Sequence, residues 1–127
     1  MFEAVSMAER IKCFKQVTPA QAELLIKLFE ENSEVIQVIA KVMLYGFDEV
    51  NVIEPDGPSN VQRLEKELGD VTCIMNLLDA ANVIDLQRVR EHAQQKRQII
   101  GRWLVHNHVD ENGDLYVSSE SKVNEKS

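Results

Sequence analysis

Cysteine is scarce. Its two copies, Cys13 and Cys73, lie far apart, and neither stands in a Cys/His spacing that suits zinc. Both read as reduced, packed thiols of a reducing compartment. Long hydrophobic runs are missing too, so nothing reaches the length of a membrane span. The N-terminus carries Glu3, Glu9, Arg10 and Lys12 where a signal peptide would have an apolar core. These absences lead to the expectation of a cytoplasmic protein with no membrane partner. Positive charge is in deficit: 14 Lys and Arg face 21 Asp and Glu, for a formal net charge of −7. That argues against nucleic acid as a partner.

Several chemical signatures are absent as well. There is no glycine-rich phosphate loop and no nucleophile elbow. Asp110-Glu111-Asn112-Gly113-Asp114 fails as a calcium loop. Its glycine is not at the sixth position, and Ser121 stands where the twelfth-position Glu is needed. A di-iron bundle requires Glu-x-x-His, but His92, His106 and His108 follow Val89, Trp103 and Val105 at that spacing.

What is there is helical patterning in a chain of 127 residues, a length that suits one domain. Met7, Ile11 and Phe14 have the spacing of a short amphipathic helix. Thr18-Pro19-Ala20-Gln21 is a strong start signal, with a cap, a proline for the first turn and a capping box. The helix it opens should run to about Tyr45 and stop at Gly46. Residues 46–60 form a loop with the turn cluster Pro55-Asp56-Gly57-Pro58, which either covers the helix ends or acts as a lid or base-contacting segment. Ser59 and Gln62 make a second capping box for a helix to about Ala81. Asp85 caps a third, basic helix from about Leu86 to Trp103. Asn112-Gly113, flanked by Val105, Val109, Leu115 and Val117, signals a small hairpin or extended arm. Glu111 and Asp114 should face each other across that turn and weaken it. Residues 118–127 should be disordered.

The first two long helices carry acids in unusual places. Leu24, Leu28, Glu31, Val35, Val38 and Val42 follow the spacing of a packing seam, with Glu31 in a position otherwise filled by Leu and Val. The second seam is Val61, Leu64, Leu68, Val71, Met75 and Leu78, with Glu67 and Asp70 beside it. Residues three apart share a helix face, so Glu31 projects with Glu34 and Glu67 with Asp70. Such acids are either solvated at the edge of the stripe or paired and metal-bound. If the helices pack antiparallel, the four carboxylates converge, and oxygen-only ligands suit Mg²⁺. The metal ligands expected are Glu31, Glu34, Glu67 and Asp70. From Val71 to Leu78 the second helix is apolar almost all round, so a second subunit is expected to cover part of it. Cations of the third helix can reach phosphates, Lys96 and Arg102 being the candidates for substrate binding.

Glu30-Glu31-Asn32-Ser33-Glu34 followed by Glu67-Leu68-Gly69-Asp70 on the next long helix resembles the MazG-like all-α nucleoside triphosphate pyrophosphohydrolases. The resemblance covers roughly residues 18–103. It implies an all-α antiparallel helical bundle of the four-helix type, one domain over residues 1–117 with a short irregular or hairpin tail. It implies cleavage of the α–β bond of a nucleoside triphosphate to monophosphate and pyrophosphate, with Mg²⁺ as cofactor and Mn²⁺ as a substitute. Glu30, one residue off the face, is then expected to orient a water or bind a second ion, and the catalytic set is Glu30, Glu31, Glu34, Glu67 and Asp70. The expected assembly is a homodimer or dimer of dimers. The competing reading is a non-catalytic helical interaction module.

Overall fold

The computed structural model describes residues 16–116. The short helix expected around Met7 to Phe14, Cys13 and the tail from residue 117 onward lie outside the described residues. The described part is mostly helical. The chain divides into two compact units, Met1–Ile84 and Asp85–Ser127.

The first unit is a pair of long helices, α1 (Pro19–Tyr45) and α2 (Asn60–Ala80). Both starts follow from local chemistry. Thr18 accepts from the Gln21 amide while the Gln21 side chain accepts from the Thr18 amide, and Ser59 and Gln62 repeat the arrangement. Each box satisfies two amides that the first helical turn leaves free. α1 ends where Gly46 takes φ 91°, and its amide donates to the Val42 carbonyl. The connection then folds back on itself. Asn60 and Val61 donate their amides to the carbonyls of Glu49 and Phe47. The Asn60 side chain, buried, donates to the Gly46 carbonyl at 3.0 Å. One amide thus ties the end of α1 to the start of α2 and fixes their register.

The α1 seam is as expected: Leu24, Leu28, Glu31, Val35 and Val42 are half-buried and Val38 is buried. The α2 seam is not quite. Leu68, expected to face α1, is 47 % exposed, whereas the side chain of Glu67 is only 15 % exposed. At this level α2 turns its acids inward and leaves the leucine outside. The reason is the 3.6-residue period: the spacing of seven per two turns drifts around a straight helix, and Glu67 lies as close to the facing line as Leu68. Cys73, expected to be packed, is a free thiol on an exposed position. Only Ala22, Val38 and Leu78 are buried apolar residues among those described. No described helix is long and apolar enough to cross a membrane.

The second unit opens with α3 (Leu86–Ile99), capped by Asp85, whose carboxylate accepts from the Gln87 amide. Lys96 and Arg97 in the last turn suit the negative end of the helix dipole. The sequence pattern carries an α-helix to Trp103; instead Ile100–Trp103 tightens into a 3-10 turn, a common way for a helix to end. Strands β1 (His108–Val109) and β2 (Leu115–Tyr116) pair antiparallel, with Val109 opposite Leu115. The turn is longer than a two-residue Asn-Gly hairpin. The Asp110 amide donates to the Asp114 carbonyl, so Asp110 and not Glu111 stands opposite Asp114. The Asp110 carboxylate accepts from the amides of Asn112 and Asp114, and the Asp114 carboxylate lies 3.5 Å from the Arg97 guanidinium. Gly113 has φ 80°, and a Cβ there would lie 2.9 Å from Arg97 Cγ.

Candidate metal site

Four carboxylates meet between α1 and α2. Glu31, Glu34, Glu67 and Asp70 each offer one oxygen, and the four atoms lie within 4.8 Å of one another. Glu31 and Glu34 come from successive turns of α1, Glu67 and Asp70 from successive turns of α2, so each helix contributes an i, i+3 pair on one face. Glu34 is exposed and the other three are half-buried.

The electrostatics are unfavourable in the bare cluster. Oε2 of Glu31 and Oε2 of Glu67 are buried, with no hydrogen-bond partner. An unsatisfied buried carboxylate oxygen is costly. Glu34 and Glu67, one from each helix, bring carboxyl oxygens within 4.8 Å of each other. Burial, then the neighbouring Glu34 carboxyl, then the negative charge of Asp70 hold the Glu67 carboxyl above the usual glutamate range, while the nearby Lys66 ammonium works against them. Lys66 Nζ lies 2.8 Å from Asp70 Oδ2 and 3.6 Å from Glu67 Oε1. The hydrogen bond to Asp70 raises the Lys66 pKa.

The donor set fits a hard divalent cation. All four ligands are oxygen, the preference of Mg²⁺. Glu31, Glu34, Glu67 and Asp70, with one oxygen each inside 4.8 Å, would hold such an ion from both helices. The two orphaned oxygens, Oε2 of Glu31 and of Glu67, gain a partner in such a site.

Other expected residues fall elsewhere. Glu30 is not among the four; it pairs with Lys27 at 3.0 Å, and both side chains are about half exposed. In the second unit, Lys96 Nζ lies 4.5 Å from the centroid of the Trp103 ring, a cation–π contact, and Arg102 is exposed. Two positions with marked contacts, Lys66 beside the cluster and Asn60 at the loop closure, were not singled out by sequence reasoning. Lys66 carried a visible signal, four residues before Asp70 on a helix. Asn60 carried none beyond its place after a helix cap.

No family model, curated protein or solved structure matches this chain.

Proposed function

We propose that this protein is a MazG-like, Mg²⁺-dependent pyrophosphohydrolase that cleaves the α–β bond of a nucleoside triphosphate. The observation that carries the reading is the convergence of Glu31, Glu34, Glu67 and Asp70 from two helices, with buried oxygens that lack a partner. Carboxylates crowded in this way repel one another; a divalent cation between them would offset that repulsion.

Magnesium, when bound, supplies positive charge against the phosphate oxygens and makes water a better nucleophile. The chain's own residues hold and orient. Glu31 and Glu67, half-buried on facing helices, form the fixed floor of the site. Glu34 and Asp70 stand one turn away on each helix. Glu30, exposed beside Lys27, is left for a water or a second ion. Lys96 and Arg102, in the second unit, remain candidates for substrate binding.

A second copy of the chain completes this reading. Phe29 is 76 % exposed and Met43 81 %, and Leu25, Ile26, Ile36, Ile39, Leu44 and Leu77 are also exposed. Among the described residues this two-helix unit buries three apolar side chains and exposes many more, and a two-fold copy would bury them by presenting the same helices in return. Light scattering at micromolar concentration checks the dimer or dimer of dimers; an active monomer of 14.5 kDa overturns it.

The activity is tested by pyrophosphate release across standard and modified ribo- and deoxyribonucleoside triphosphates, with and without Mg²⁺. Mg²⁺-dependent release from at least one is expected. No release from any of them favours the non-catalytic interaction module.

A further inference from the structure

A second feature lies farther along the same two helices. A cavity of about 300 Å³ opens at the loop end of the pair, lined by Lys41, Tyr45, Glu49, Asn51, Asn60 and Arg63 among others. Its walls are held by the loop closure already described, the Asn60 and Val61 amides on Glu49 and Phe47. The Asn51 side-chain oxygen accepts from the Ile53 amide, which leaves its NH₂ group to donate.

The cations of this unit fall into two classes. Lys27 and Lys66 each hold a carboxylate, Glu30 and Asp70. Lys41 and Arg63 have no carboxylate within ion-pair distance among the described residues, although Glu49 lines the same cavity. Both project on the side of the acid cluster. Lys41 is seven residues, two turns, after Glu34, and Arg63 is four residues, about one turn, before Glu67. One unit therefore presents acids that take a metal and, roughly 6–10 Å along the helix axes, two cations that take an anion. The cavity is at the small end of ligand sites. It has room for a phosphate group and its contacts.

We propose that this cavity seats the terminal phosphate of the substrate, with Lys41 and Arg63 as its ligands. The proposal rests on the metal reading above, since it places the chain of phosphates along the helices from the acids to the two cations. Arg63 offers a planar fork to phosphate oxygens and Lys41 a point charge. The Asn51 amide stands beside them as a neutral donor. A triphosphate is thereby distinguished from a monophosphate, which cannot span both sites.

Calorimetric titration with inorganic tripolyphosphate, with and without Mg²⁺, tests this on the full chain, alongside titration with Mg²⁺ alone. Lys41→Gln and Arg63→Gln should each weaken tripolyphosphate binding roughly tenfold, raise the KM for a triphosphate substrate similarly, and leave Mg²⁺ affinity within about twofold of wild type. Tripolyphosphate affinity equal to wild type in both variants overturns the proposal. Failure of the metal reading looks different: wild type then binds no Mg²⁺, and the metal-free tripolyphosphate titrations decide whether Lys41 and Arg63 bind an anion at all.

Discussion

Lys66 Nζ sits 2.8 Å from Asp70 Oδ2, one turn apart on the same helix, at the edge of the four-acid cluster. In the metal-free protein this ammonium offsets part of the charge that a divalent cation would neutralise. The two cations compete for the same oxygens. Lys66→Met should therefore tighten Mg²⁺ binding several-fold, read by calorimetry, while lowering the melting temperature of the metal-free protein. Unchanged or weaker Mg²⁺ binding would show that Lys66 is a bystander.

Glu34→Gln and Asp70→Asn should abolish turnover without loss of fold. Each removes one charge from a crowded group, so the metal-free variants should melt at the same temperature as wild type or higher. Mg²⁺ stabilises whatever folded cluster it binds; it should raise the wild-type melting temperature in a concentration-dependent way and that of the variants much less. Near-wild-type turnover in either variant refutes the ligand assignment.

The pH dependence follows from Glu67. Its carboxyl is held above the usual range in the folded protein by burial and by Glu34, so between the ordinary glutamate value and the raised one the folded state carries more protons than the unfolded state. Stability rises with pH where the unfolded state binds more protons; here the folded state does, so the Glu67 contribution is fully present at acid pH and fades as pH rises through the raised pKa. Metal-free wild type should lose melting temperature across that window, and Glu67→Gln should flatten the slope. A slope that survives the substitution places its origin in another group.

Leu78 is 1 % exposed, the most completely buried large side chain described. It also anchors the end of α2: its carbonyl accepts from the Val83 amide. Leu78→Ala should cost about 2–5 kcal/mol, measured by urea unfolding. Leu77→Ala, on an exposed neighbour, should cost far less in the isolated chain. If a second copy covers the apolar face, Leu77→Ala instead lowers stability in a way that depends on protein concentration.

The sequence by itself determined the helices and the identity of the acids. Capping boxes at Thr18/Gln21 and Ser59/Gln62 act within three residues, and the Gly46 stop acts on one backbone angle, so each was legible without knowing what lies across the molecule. The i, i+3 spacing of Glu31/Glu34 and Glu67/Asp70 likewise follows from one helix at a time. Only the tertiary structure decided which turn of α2 faces which turn of α1. That register depends on how the connection closes, through the buried Asn60 amide on the Gly46 carbonyl and the Phe47 and Glu49 carbonyls on the start of α2. It turned Glu67 inward and Leu68 outward, where a seven-residue pattern had them the other way round. Among the described residues it also left Lys41 and Arg63 without a carboxylate within ion-pair distance. A side chain's periodicity fixes its angle about its own helix; the level and rotation of the helix facing it are set by long-range bonds that no local spacing encodes.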